Sequence, residues 1–303
     1  MEFRQLQYAI QIANERNFSR AAEKLHIAQP SLSQQLSKLE KELGVLLFKR
    51  STNSVELTHA GDVFVKKAQQ IVDMADQLRR EMEDIADMRK GRLVVGSLPM
   101  TGAHVLPHVL PVFRETYPNI EIVLIEETTR QLEQLTASGG TDVSLLSLPL
   151  IEPSLAYLPV IEEGICLAVP PDHPLAHPQY RDKEISVGLL KDEPFVLLKK
   201  GQGFRLIAHD LCAAAGFDPR VVFESANIDT VQSLVAAGMG VAFLPKMVAR
   251  SDWSGRAPVY LQLEGRPTRT LVIAYRKGRY LSNAAEAFIS TFRSTFDKID
   301  MGK

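Results

Sequence analysis

Between positions 29 and 43, Pro30, Ser33, Gln34, Ser37 and Lys41 fall on one side of a helical wheel, with Lys38 on its flank. Leu32, Leu36 and Leu39 occupy the other side. The first set holds no bulky apolar residue and is rich in donors and acceptors. Serine and glutamine can hydrogen-bond base edges, and lysine can neutralise a phosphate. The same face would also suit plain solvation, so its meaning depends on the elements around it. Other constellations carry less chemistry. His104/His108 and His173/His177 each have a spacing of four, but Pro107 interrupts the first pair and prolines surround the second. No thiolate or carboxylate set completes a metal site at either pair. Cys166 and Cys212 lie 46 positions apart in strand and helix patterns and read as buried hydrophobes. Gly201-Gln202-Gly203-Phe204-Arg205-Leu206 lacks the third glycine of a dinucleotide turn. No phosphate loop, Gly-x-Ser-x-Gly elbow or zinc-protease motif is present. Neither a metal, a cofactor nor an enzymatic activity is therefore expected.

The polar face sits in a run of short helices. Phe3, Leu6, Ile10 and Ala13 recur at helical spacing, Ser19 suits the N-cap of a second helix, and Gln29-Pro30 opens a third that Gly44 ends. Residues 46–50 and 55–58, around a turn at 51–54, read as a two-stranded wing. A helix, turn, helix and wing in this order suits major-groove docking. The competing reading is an assembly module on a cytoplasmic receptor or enzyme, which would need neither the wing nor the polar face.

Next comes an a/d seam: Phe64, Ala68, Ile71, Ala75, Leu78, Met82 and Ile85, spaced alternately by four and three. A helix of nearly thirty residues would span roughly 40 Å, longer than a small domain is wide, so the seam is expected to pair with a second chain. From position 91 strands and helices alternate in two cycles, the rhythm of parallel α/β units with a cleft between them. Expected strands cover 92–96, 120–125, 143–148, 164–169, 195–198, 221–223, 241–244 and 270–275.

The 303 residues are 45% hydrophobic and 23% charged, ordinary values for a folded chain of two or three domains. Net charge is −1, but residues 1–60 hold 8 Lys/Arg against 6 Asp/Glu, a small positive excess at the N-terminus. A near-neutral total does not exclude DNA, because only the docking face need be positive. No apolar stretch approaches a membrane span and the start lacks an export signal, so a cytoplasmic protein without a membrane partner is expected. The missing signal also argues against a solute-binding protein for transport.

The segment from Phe18-Ser19-Arg20-Ala21-Ala22 through Gln29-Pro30-Ser31-Leu32-Ser33-Gln34-Gln35, with Leu43-Gly44, Leu47-Phe48-Lys49-Arg50 and Leu57-Thr58-His59-Ala60-Gly61, resembles the LysR-type transcriptional regulators. His173-Pro174-Leu175-Ala176 and Leu234-Val235-Ala236-Ala237-Gly238-Met239-Gly240 through Pro245 are similar to signatures of that family's effector-binding domain. The resemblance implies a multidomain α and α/β protein. A winged helix-turn-helix covers 1–58 and a dimerising linker helix 59–90. A two-lobed α/β effector-binding domain like periplasmic solute receptors follows, with lobe I at 91–161 and 266–303 and lobe II at 162–265. It implies DNA contacts at Gln29, Pro30, Ser33, Gln34 and Arg50, and Ser31, Ser37 and Lys38 complete the expected set. For the effector it points to Ser97, Pro99, Met100 and Thr101, to Thr128 and Thr129, to Gln202, Gly203, Phe204 and Arg205, and to Phe243. An Arg205 facing the cleft would favour a small anion or carboxylate. Expected partners are double-stranded promoter DNA, a small-molecule effector, further copies in a homodimer or homotetramer, and RNA polymerase. The two cysteines do not match the close pair of peroxide-sensing relatives.

Overall fold

Three short helices open the chain: α1 (Phe3–Glu15), α2 (Phe18–Lys24) and α3 (Gln29–Leu43). The computed structural model describes residues 1–50, 55–86, 91–249 and 257–300, which divide into two units, 1–86 and 87–303. In the first unit Ala9, Ile12, Ala21, Ala22, Leu32, Leu36 and Leu39 form one apolar core with Leu47 and Phe48. Each fully buried leucine contributes roughly 1.5–3 kcal/mol. Phe3, expected inside, is 43% exposed, because the core-facing stripe of α1 runs through Ala9 and Ile12 instead. The cap of α2 is Asn17 rather than Ser19: its Oδ1 accepts from the Ser19 and Arg20 N–H groups, so the helix starts earlier than expected. Gly44 ends α3 at φ 71°, as its freedom from a Cβ permits.

Strands β1 (Phe48–Arg50) and β2 (Val55–Leu57) pair antiparallel, Lys49 opposite Glu56; the turn at 51–54 lies outside the described residues. Glu40, buried on α3, accepts hydrogen bonds from the N–H groups of Leu47 (2.8 Å) and Phe48 (3.2 Å), tying the wing to the helix whose face it flanks. Helix α4 (His59–Ala86) starts against the same spot: Thr58 Oγ1 donates to Leu46 O at 2.7 Å and accepts from Gly61 N–H. A Cβ on Gly61 would stand 1.9 Å from Leu47 O. Gly61→Ala is therefore expected to lower stability by about 1–3 kcal/mol through overpacking, read as an earlier urea midpoint. An unchanged midpoint would contradict this close approach.

The second unit runs β3 (Gly91–Ser97), α5 (Pro99–Thr116), β4 (Ile120–Glu126), α6 (Thr129–Ser138), β5 (Val143–Ser147) and β6 (Leu155–Val169). It continues with β7 (Glu184–Ile185), β8 (Pro194–Leu198), α7 (Gly203–Ala214), β9 (Arg220–Ser225), α8 (Ile228–Ala236) and β10 (Ala242–Pro245). β11 (Val259–Leu263), β12 (Thr268–Arg276) and α9 (Asn283–Asp300) complete it. Strand β3 lies parallel between β4 and β5, and β8 pairs parallel with β9, as the alternating pattern implies. The sheet is nevertheless mixed. Strand β6 is fifteen residues long, not the 164–169 expected. Its first part pairs antiparallel with β12 in one lobe, and its end pairs antiparallel with β10 and β11 in the other. One sheet in the order β4-β3-β5-β12-β6-β11-β7 therefore joins both lobes. Pro159, Glu162 and Glu163 hid the first part of β6, because proline and charge argue against a strand interior.

Three apolar clusters fill the lobes, the smallest of them built on Leu98, Leu132, Leu146, Leu155, Val272 and Ala274. Phe113, Phe288 and Phe292 sit in the cluster between α5, α9 and the lobe I sheet, and Phe195 and Phe243 in the cluster of lobe II.

Candidate nucleic-acid interface and ligand cleft

Along α3, Leu32, Leu36 and Leu39 are fully buried, and the wheel then dictates what faces out. Gln29, Pro30, Ser31, Gln34, Ser37 and Lys38 are exposed and Ser33 is half-buried. The N-cap of α3 is Ala28, which offers no side-chain cap, so the Gln29 and Ser31 N–H groups can donate to an outside acceptor such as a phosphate, while Pro30 has none to give. Lys38 Nζ lies 3.5 Å from Glu2 Oε1; both are exposed, and such a pair holds the lysine only loosely. Arg50 pairs with Val55 by backbone, but its side chain lies outside the described residues.

The a/d seam of α4 divides in two. Ala68 packs with Leu6 and Ile10 of α1, and Phe64 packs beside it. Beyond them Ile71 (46% exposed), Leu78 (58%) and Met82 (51%) stand open, Ala75 is exposed between them, and off-seam Met74 adds 70%. The Ile85 side chain lies outside the described residues. A row of large apolar side chains left in water on a heptad repeat marks a contact surface.

In the second unit a cavity of about 550 Å³ opens between the start of α5 and the ends of β4 and β8, with α7 and α8 closing it. Pro99, Met100, Thr128, Gln202, Gly203 and Phe204 line it, six of the eleven positions expected. Thr129 joins the lobes just beside it: its Oγ1 accepts the Gly203 N–H at 3.0 Å, a pairing that spans 74 positions of sequence. A Cβ at Gly203 would come within 3.2 Å of that oxygen, so glycine suits the approach. Thr128 Oγ1 donates to Gln131 Oε1, and Gln202 Nε2 to Ala226 O.

Four expected positions are placed differently. Helix α5 begins at Pro99, six residues before the start expected, so Thr101 is wound into its first turns and fully buried. Ser97 is equally buried, its hydroxyl donating to Leu98 O. Phe243 is 2% exposed and packs on Phe195 in the lobe II core, because every residue of β10 is buried. Arg205 does not offer its fork to the 550 Å³ cavity: Nη1 donates to Leu198 O and pairs with Glu224 Oε1, each at 2.8 Å.

The cation that reaches this cavity is Arg269 on β12, which the sequence reading missed. It is paired with Glu163 of β6 at 2.7 Å, both nearly fully buried, and its guanidinium lies 5.4 Å from the Phe204 ring centroid. Glu163 Oε1 also accepts Met247 N–H at 2.8 Å. Burial pushes the Arg269 pKa down and Glu163 opposes that shift. Glu126, Glu127 and Asp229 make the remaining charged lining acidic, so this cavity has no spare cation for the small anion expected of it.

Neither cysteine is poised for chemistry. Burial pushes the Cys166 thiol up to about 12 and Cys212 to about 11, so both stay protonated at neutral pH. The histidine pairs are engaged locally: His104 Nδ1 with Met100 O, and His173 and His177 as caps of short turns. Among the described residues no helix is long and apolar enough to cross a membrane, and no metal-ligand cluster forms.

A helix-turn-helix with an outward polar face, a long helix with an open apolar seam and a two-lobed cleft together define a ligand-responsive transcriptional regulator. Residues 3–62 match the bacterial regulatory helix-turn-helix protein, lysR family, and residues 86–297 match the LysR substrate binding domain. The chain belongs to the LysR family of transcriptional regulators. It is 39% identical to the HTH-type transcriptional regulator YcgK of Bacillus subtilis strain 168, over 100% of this chain and 98% of that one. Among solved structures it resembles a full-length OxyR variant from Pseudomonas aeruginosa at 30% identity and TM-score 0.73, covering 97% and 95% of the two chains. Full-length CbnR complexed with its target DNA is similar at 25% identity and TM-score 0.66, over 97% and 100%. The chain is therefore a DNA-binding regulator with an effector-binding domain, not an enzyme.

Proposed function

We propose that α3 enters the major groove of promoter DNA and reads it with Ser33 and Gln34, while Gln29, Pro30, Ser31, Ser37, Lys38 and the wing residue Arg50 set register against the backbone. The observation that carries this is the outward, exposed polar face of α3, held by three buried leucines on one side and the Glu40-anchored wing on the other. The complex of CbnR with its target DNA supports the same use of the fold. The protein acts in the cytoplasm, where promoter DNA lies, as a homodimer formed along the open stretch of α4 or as a homotetramer, in contact with RNA polymerase.

A small molecule held between the lobes governs the response. Strand β6 runs from one lobe into the other, and the Thr129–Gly203 hydrogen bond closes one side of the cleft. A ligand that favours one degree of closure shifts the population of assemblies and hence the spacing of the bound half-sites.

The test uses duplexes enriched by the protein from a random library. Ser33→Ala and Gln34→Ala are each expected to weaken binding to the enriched duplex by about 1–3 kcal/mol while leaving random DNA nearly unaffected. Equal losses on both duplexes would assign these side chains to the backbone instead of the bases, and no loss on either would overturn the interface.

A further inference from the structure

A second cavity, of about 590 Å³, lies between α6 of lobe I and α7 of lobe II. It shares Gln202 and Gly203 with the first, and the two meet at the Thr129–Gly203 hydrogen bond. Its volume is in the range of small-molecule sites. Two nearly buried charged side chains line it, each with one unsatisfied polar atom. Glu133 is 4% exposed; its Oε2 accepts from the N–H groups of Ile151 and Glu152, but Oε1 has no partner. Arg205 is 7% exposed; Nη1 is engaged by Leu198 and Glu224, but Nε has none. Buried polar atoms are almost always satisfied, so an acceptor and a donor without a protein partner, on two side chains that line one cavity, call for a partner from outside the chain.

The two atoms constrain that ligand together. A simple anion would answer Arg205 and leave the Glu133 carboxylate unmatched. A simple cation would answer Glu133 and leave the guanidinium N–H bare. A molecule carrying both a cationic donor and an anionic acceptor answers both with charged hydrogen bonds, the strongest match for the pair. Lys200 adds positive charge on the α7 side, and Glu152 is already engaged by Ser154. Leu148, Pro149, Ile151 (81% exposed) and Leu206 (47%) give the wall an apolar stretch, beside the polar Arg130, Gln134, Ser147 and His209.

We propose that this cavity binds a free α-amino acid with an apolar side chain. Its ammonium group donates to Glu133 Oε1, its carboxylate accepts from Arg205 Nε–H beside Lys200, and its side chain covers Ile151 and Leu206. Because the two lobes each supply one of the paired groups, the bound zwitterion bridges them and favours closure. This inference rests on the reading of the second unit as the effector domain and names the effector's class.

Calorimetric titration and thermal melting of the full-length protein test it, with L-leucine, L-methionine and L-phenylalanine as probes. 4-Methylpentanoate and 3-methylbutylamine stand for the carboxylate and the amine alone. At least one amino acid should raise the melting temperature at ~10 mM, and neither half-molecule should do so. Glu133→Gln should weaken that amino acid roughly 10- to 100-fold, the loss expected for one charged hydrogen bond. Leu206→Asp, at an exposed position on α7, should weaken it as well and serves should the first variant misfold. Equal binding of the carboxylate alone, or no response to any of the three amino acids, would overturn the assignment. Enriched duplexes are titrated in parallel: retained DNA binding without an amino-acid response refutes this inference only, whereas loss of DNA binding by the unmodified protein refutes the regulator reading.

Discussion

Glu163→Gln is expected to lower the stability of the second unit by about 3–5 kcal/mol, because it leaves the Arg269 guanidinium buried without a counter-charge. The pair is enclosed where β6 and β12 run side by side, with Arg269 opposite Glu163 in the register. Both side chains are largely withdrawn from water, at 1% and 5% exposed. Glutamine keeps the shape and the hydrogen bond to Met247 N–H but not the charge. For a unit of this size the loss corresponds to a fall in melting temperature of roughly 6–20 °C, measured by calorimetry. The double variant Glu163→Leu with Arg269→Met should recover most of it, because removing both charges removes the uncompensated one. A single variant as stable as the unmodified protein would show that the pair is dispensable.

The second large effect concerns assembly. Leu78→Asp places a charge in the middle of the open stretch of α4, between Ile71 and Met82. A leucine buried on pairing contributes roughly 1.5–3 kcal/mol, and an unpaired aspartate in the same place opposes association further. Sedimentation should therefore shift from dimer or larger to monomer at ~1 μM protein. Affinity for an enriched two-half-site duplex should fall ~100-fold or more as the linked second contact is lost. Asp76→Ala, exposed and off the seam, should change neither. An unchanged sedimentation profile for Leu78→Asp would refute the seam.

How much of this was legible in the sequence follows from the range of each interaction. The outward face of α3 depends on helical periodicity alone, and Leu32, Leu36 and Leu39 set it without help from distant residues. The α4 seam was equally legible, although its first two positions, Phe64 and Ala68, turn to α1 of the same chain. The periodicity is the same whether the partner is internal or external, so it could not separate them. The cleft was only half legible. Turns at Pro99, Thr128 and Gln202 lie at strand ends and helix starts, where a βαβ pattern places ligand groups. The Glu163–Arg269 pair joins residues 106 positions apart through a strand register that no local pattern specifies. The ion pair of Arg205 was hidden for the same reason, since its partner Glu224 lies on a neighbouring strand that periodicity does not align. Glu133 looked like one more polar residue of an amphipathic helix until the fold brought Ile151 and Glu152 onto it.

Titrating the protein onto an enriched duplex across a range of salt concentrations probes the α3–DNA contact most directly. Insertion of α3 from two subunits, with Lys38, the wing and the helix starts on phosphates, should give a linear plot of log affinity against log salt with a slope of about −5 or steeper. A flat plot, or the failure of any duplex to be enriched at low salt, would mean that this helix does not meet DNA.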